Sequence, residues 1–272
     1  MFRTGRGGGA TIFSEMFRNS WHITLTKGNG EDFTLIYQHN SSNITIIRSK
    51  TPNPVPRKQM LIGLTGLSCA GKNYVARLLL ERGCRVLDAD ELAHEVLDEQ
   101  KAAVLTRWGE GVLDTNGKVS RQALGAAVFG NQEKLSALEN LLYPAIDRKI
   151  LEWVEGGEQE ISVINAAVLH KSAVFEKLDL LVIVRAPYLT RLFRAKFRDK
   201  RTFRQIIRRF RSQHDFLSQY FTKNADICII ENGGIGIFPF RSAMKKKIDR
   251  LMIQFERIEA IKESREEHPP MP

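Results

Sequence analysis

The stretch Gly66-Leu-Ser-Cys-Ala-Gly71-Lys72 constrains the fold more than any other part of this chain. It follows an apolar run, Leu61-Ile-Gly-Leu-Thr65, that reads as a buried strand, and it opens a helix expected from about Asn73 to Arg82. G-x-x-x-x-G-K between a strand and a helix is a phosphate-binding loop. Its glycines let the backbone curl until the N–H groups converge, and with the helix N-terminus they form a nest for the β- and γ-phosphates of a nucleotide. Gly66, Ser68, Cys69, Ala70, Gly71, Lys72, Asn73 and Tyr74 are therefore the expected ATP-binding residues. Lys72 would bring a point charge to the transferring group. Asn73 stands where Ser or Thr normally offers a hydroxyl to magnesium. Its amide oxygen is a neutral hard-cation ligand, which makes Asn73 the candidate metal contact. Cys69 reads either as a thiol activated by the helix terminus and Lys72 or as a small residue that fits the loop.

Beyond Met60 the pattern alternates strands and helices. Arg85-Val-Leu87, Ile161-Ser-Val-Ile164, Leu180-Leu-Val-Ile-Val184 and Ile227-Cys-Ile-Ile230 read as further strands. Helices are expected over 91–99, 101–108, 121–154 with an interruption at Pro144, 188–219, and Phe240 to Lys262. Such alternation predicts an α/β fold with a parallel sheet between helical layers. Residues 1–59 differ. Gly-Arg-Gly-Gly-Gly at 5–9 opens them and Thr51-Pro-Asn-Pro-Val-Pro56 closes them. They are expected to be a poorly ordered extension with a Pro-rich linker, although Phe33–Tyr37 and Ile44–Ile47 could pair as a hairpin. Met60 is a second candidate start, and 263–272 reads as a tail.

Several classes are excluded. No apolar run approaches 18 residues, so no membrane span is expected. The first thirty residues lack the apolar core of a secretory signal. The three cysteines are scattered without a CxxC pair, so neither a disulfide framework nor a zinc site is expected, and a reducing cytoplasm is the expected location. The net charge of +10 is concentrated: residues 191–211 hold ten basic side chains against one acidic. A basic block implies an anionic partner, whether nucleic acid, membrane surface or a phosphate-rich small molecule.

Asp88-Ala-Asp90 closes the second strand, about twenty residues past the phosphate loop. Two carboxylates at the C-terminal edge of a parallel sheet can divide labour, one orienting the acceptor or a metal-bound water and the other taking a proton from a hydroxyl. The alternative is structural, with Asp90 capping the helix that begins at Glu91.

Taken in order, Leu61-Ile-Gly-Leu-Thr-Gly66, Gly71-Lys72, Val86-Leu-Asp-Ala-Asp90, Ala93-His-Glu-Val96, Gly109-Glu-Gly-Val-Leu-Asp114, Ser120-Arg-Gln-Ala-Leu-Gly125 and Leu141-Leu-Tyr-Pro144 resemble the dephospho-coenzyme A kinases. Arg194, Arg198-Asp199, Gln213 and Asn224-Ala-Asp226 continue the likeness, which runs from about Met60 to Gly234. The resemblance implies a P-loop kinase over residues 60–262, with a helical substrate-binding subdomain at about 91–155 and a helical lid at about 188–219. It implies transfer of the ATP γ-phosphoryl group, with Mg2+, to the ribose 3′-hydroxyl of dephospho-coenzyme A. By the same resemblance Asp90 is the catalytic base, Asp88 and His94 are substrate-binding residues, and lid arginines reach ATP. Arg194 and Arg198 are expected to be catalytic and Arg209 to bind ATP. The chain departs from the family at Asn73, at Asn165 in place of an Asp, and at Lys171 in place of a Glu.

The alternatives are another small-molecule P-loop kinase, acting on a nucleoside or nucleotide, and a nucleotide-dependent nucleic-acid-binding protein. Against the latter, the basic stretch has few interleaved aromatics and no nucleic-acid-binding motif.

Overall fold

The computed structural model describes residues 11–17, 21–27, 33–39, 44–48, 59–198, 202–211, 213, 220, 226–233 and 243–256. Its centre is a set of short strands rich in Val, Ile and Leu: β5 (Met60–Gly66), β6 (Arg85–Asp88), β7 (Ile161–Asn165), β8 (Leu180–Arg185) and β9 (Asp226–Glu231). They are parallel and lie in the order β6-β7-β5-β8-β9. Side chains alternate between two faces, and helices cover both. Ile62, Leu64, Val182 and Val184 pack with Leu78 and Leu79 of α1 (Lys72–Leu80) and with Ile248, Leu251 and Phe255 of α8 (residues 243–256). Leu61, Leu181 and Ile183 face the other way, toward Val96 of α2 (Ala89–Glu99) and Ile146 and Ile150 of α5 (Gln132–Glu155). The α/β reading from sequence is thereby met.

β5 pairs with β7 on one side and with β8 on the other. The chain leaves β5 toward β6 on one side, returns to β7 beside it, and then crosses to β8 on its other side. A crevice results at its C-terminal end, where open α/β sheets bind ligands. The phosphate loop starts there.

Between β6 and β7 the chain builds the expected helical unit from α2, α3 (Lys101–Trp108), α4 (Arg121–Val128) and α5. Val104, Val112, Leu124 and Val128 form its own small core. Here one expectation is corrected, because Pro144 does not interrupt α5, which runs unbroken for 24 residues. An internal proline costs about 3 kcal/mol. Burial of Ala145, Ile146, Ile150 and Val154 beyond it, and packing of Leu135, Leu138 and Leu141 before it, outweigh that cost. The basic region folds as two helices, α6 (Tyr188–Arg198) and α7 (Phe203–Arg211). The rest of 188–219, apart from Thr202 and Gln213, lies outside the described residues, as does the tail 263–272.

Before Met60, where the sequence predicts little regular structure, the described residues form β1 (Thr11–Phe17), β2 (Trp21–Lys27), β3 (Phe33–His39) and β4 (Ile44–Arg48). They run as an antiparallel meander. β3 and β4 are the hairpin that the two short apolar pieces allow, with Tyr37 opposite Ile46. β4 pairs antiparallel with β9, extending the sheet to nine strands. The physical reason is the outer edge of β9, whose N–H and C=O groups need partners.

Candidate active site

The phosphate loop curls because its backbone departs from ordinary conformations at two points. Gly71 adopts φ 98° and Cys69 adopts φ 62°, which is unusual for a residue with a side chain. Space also dictates glycine: a Cβ on Gly66 would lie 2.6 Å from the Val184 carbonyl oxygen, and one on Gly71 would lie 2.3 Å from Asn232 Nδ2. The Ala70 carbonyl is held by two side chains. It accepts from Asn232 Nδ2 at 2.7 Å and from Arg194 at 3.1 Å. Arg194 also donates to the Cys69 carbonyl at 3.4 Å and to Asn232 at 3.2 Å. Burial holds the Arg194 guanidinium below its ordinary pKa, and Cys69 opposes that shift. Cys69 packs with Ala195, Ile206 and Phe210, and its sulfur lies 3.9 Å from Ser68 Oγ.

The two carboxylates occupy different environments. Asp88, not Asp90, caps α2: its Oδ1 accepts from the N–H groups of Asp90 at 3.0 Å and Glu91 at 3.3 Å. Its Oδ2 accepts from Asn165 Nδ2 at 3.0 Å. The cap suggested for Asp90 thus moves two residues back. Asp90 instead reaches toward the loop, its Oδ2 3.3 Å from Lys72 Nζ and its Oδ1 accepting from Ala167 N–H at 3.3 Å. Its side chain is about half exposed while that of Lys72 is largely buried (52% and 12%), so a substrate hydroxyl has access to the carboxylate.

The remaining predicted residues lie at various depths. Asn73 is exposed on the first turn of α1, and Tyr74 is half-buried under the Arg77 guanidinium. His94 on α2 makes a close contact with Arg121 at the start of α4. Arg198 and Arg209 are exposed on α6 and α7. A cavity of about 530 Å³ lies between the loop and α6, lined by Cys69, Gly71, Phe193, Arg194, Phe197 and Arg198. Lys171 pairs with Glu139 on the surface at 2.5 Å. Two residues were given no role from sequence. Asn232, at the end of β9, is the loop's buttress. Tyr143 on α5 has its phenol pushed up to about 12, chiefly by burial, then by the charges of Glu139 and Asp147, with Tyr220 and Asp90 adding to it. No local motif marks Asn232, whereas Tyr143 lies within Leu141-Leu-Tyr-Pro144.

A phosphate cradle, a lysine and a nearby carboxylate are the parts of a phosphoryl-transfer site. The family model described as dephospho-CoA kinase (CoaE) matches residues 60–236. The chain belongs to the dephospho-CoA kinase family. Curated relatives agree: it is 32% identical over 213 residues to the dephospho-CoA kinase of Treponema denticola, covering 74% of this chain and 92% of that one. It is 32% identical over 184 residues to the enzyme of Treponema pallidum, covering 64% and 87%. Among solved structures, the dephospho-CoA kinase from Campylobacter jejuni superposes with a TM-score of 0.51 at 25% identity, covering 70% of this chain and 96% of that one. TT1252 from Thermus thermophilus shares the fold with a TM-score of 0.63 at 24% identity, covering 73% and 98%. Membership gives the reaction class and the substrate pair. The chain is an ATP-dependent phosphotransferase that phosphorylates the ribose 3′-hydroxyl of dephospho-coenzyme A to give coenzyme A. No helix among the described residues is long and apolar enough to cross a membrane.

Proposed function

We propose that Asp90 is the general base of this reaction and Lys72 the principal charge on the migrating phosphoryl group. The observation that carries the reading is the 3.3 Å approach of Lys72 Nζ to Asp90 Oδ2 at the mouth of the phosphate loop. A hydroxyl bound beside Asp90 would stand next to a phosphoryl group on the loop, with the lysine between them. The unhindered Asp90 carboxylate takes the hydroxyl proton as the oxygen attacks. Lys72 and the loop N–H groups stabilise charge that spreads over the γ-oxygens. Asp88 orients this part of α2, and His94 with Arg121 offers a basic surface for the acceptor's phosphates. Arg198 and Arg209 approach ATP from the lid, and Arg194 keeps the loop carbonyls turned away from the anion.

The residues also fit a magnesium ion that arrives with the nucleotide. Such ions keep water and phosphate oxygens as most of their ligands. The absence, among the described residues, of a group of three or more His, Cys, Asp or Glu suited to a metal therefore does not oppose it. Oxygen donors stand at the right edge of the sheet: Asn73, Asp88 and Asn165, whose buried Oδ1 has no hydrogen-bond partner. When bound, the ion would neutralise charge between the β- and γ-phosphates. The reading places the enzyme in the cytoplasm. Rapid-quench single turnovers of Asp90→Asn test the base: the chemical step should slow with ATP affinity retained, and an unchanged step would remove Asp90 from that role.

A further inference from the structure

Three arginines, Arg191, Arg194 and Arg198, share one face of α6, yet they lie at three depths. Arg198 is exposed and Arg194 half-buried, while Arg191 retains only 6% of its surface. The proposed mechanism uses the outer two and leaves Arg191 without a task. Its Nε donates to the Ser68 carbonyl at 2.8 Å, and its terminal nitrogen donates to Gln213 Oε1 at 3.3 Å. The same Gln213 oxygen accepts the Ser68 N–H at 3.0 Å. One peptide unit after another is thus gripped at Ser68, its N–H by Gln213 and its C=O by Arg191. The guanidinium also lies 4.2 Å over the ring of Phe210 on α7, so both lid helices meet at this point.

A buried guanidinium is costly unless something opposes its charge. No ion pair involves Arg191 among the described residues, and burial holds its pKa below the ordinary value, with Cys69 and Tyr188 opposing. Hydrogen bonds to one carbonyl and one amide engage two of its five donors without neutralising it. An apolar residue would pack against Phe210 at lower cost. A retained positive charge behind a phosphate cradle has a use when polyphosphate occupies the cradle, since attraction between the two is strong where water is excluded.

We propose that Arg191, together with Gln213, is a positioning residue for the phosphate loop, fixing the two peptide units that meet at Ser68 and tying the lid helices to nucleotide binding. The inference rests on the reading that this loop holds the ATP phosphates. A loop set correctly before ATP arrives binds it more tightly, because the cost of ordering has already been met. The acceptor side of the site, at Asp90 and His94, does not touch this cluster and should not sense it.

The test uses the full chain, with calorimetric titration by ATP and steady-state turnover with both substrates. Arg191→Met keeps the stem against Phe210 and removes the donors. Its Kd and KM for ATP should rise about tenfold, the worth of one charge-assisted hydrogen bond. Its KM for dephospho-coenzyme A should stay within about twofold, a split that general loosening would not produce. Arg191→Lys should recover part of the loss. Gln213→Leu should weaken ATP comparably. The double variant should lose much less than the product of the two, because both side chains hold the same residue of the loop and Arg191 also donates to Gln213. Equal loss for both substrates, or two independent multiplicative losses, would overturn the proposal. Should Arg191→Met not fold, Gln213→Leu decides alone: weaker ATP binding supports the clamp and unchanged binding overturns it. Failure of the unmodified chain to bind ATP would instead strike the reading of the loop itself.

Discussion

Asp88 and Asp90 are two residues apart, and the structure predicts opposite consequences for their loss. Asp90→Asn removes a charge whose partner, Lys72, lies 3.3 Å away in a half-exposed pair. Such pairs contribute about 1 kcal/mol or less. The bond from Ala167 N–H can be kept by the amide oxygen, and the α2 cap is untouched because Asp88 makes it. The melting temperature should therefore fall by no more than about 3 °C. Turnover should fall by roughly 10²–10⁴, the loss of a positioned base, or about 3–5 kcal/mol of barrier. Asp88→Ala reverses the pattern. It deletes two cap bonds, worth about 1 kcal/mol, and strands Asn165 Nδ2 in a site where that residue is 2% exposed, costing about 1–3 kcal/mol. The sum of about 2–4 kcal/mol should lower the melting temperature by about 8 °C. Differential scanning fluorimetry and kcat per folded molecule measure both variants. A large stability loss in Asp90→Asn with turnover intact would refute the division of labour.

Asn73→Thr should lower the free magnesium needed for half-maximal turnover, because a short hydroxyl suits octahedral magnesium better than a longer amide. Identical metal curves would place Asn73 away from the ion. A chain starting at Met60 should fold and retain kinase activity, yet self-associate more at high concentration, since β4 no longer covers the edge of β9; light scattering checks this, and an inactive product would show that the meander supports the core. Burial pushes the Cys84 thiol up to about 11 and the Cys228 thiol up to about 12. A raised folded-state value means that stability is complete below the unfolded value near 9 and is lost as pH rises toward the folded one, by up to about 1.4 kcal/mol per thiol per pH unit. Urea midpoints between pH 8 and 11 should fall accordingly, and more gently in Cys228→Ala.

The phosphate loop was legible because its spacing and its place after a buried strand leave few other folds. The parallel sheet followed from apolar runs alternating with helical patterns, though its strand order did not. The division between Asp88 and Asp90 was not legible, since capping depends on which residue takes the extended conformation before the helix, and both are aspartates. Nor was the depth of the lid arginines. An i, i+3, i+7 spacing places three side chains on one face, but packing of Cys69, Ile206 and Phe210 buries Arg191 and leaves Arg198 in solvent. Pro144 misled for a related reason, because local propensity yields to a helix packed on both sides of the break. The strands before Met60 showed only as two short apolar pieces, and no local signal told that the edge of β9 would stand open to receive them.

The most direct measurement of the central claim is ADP release by the purified chain with ATP and magnesium, in the presence and absence of dephospho-coenzyme A, with a nucleoside and a nucleoside monophosphate as rival acceptors. ADP should form at one equivalent per dephospho-coenzyme A consumed, with coenzyme A appearing at the same rate and only background release from the rivals. Turnover with a nucleoside or nucleotide and none with dephospho-coenzyme A would contradict the account.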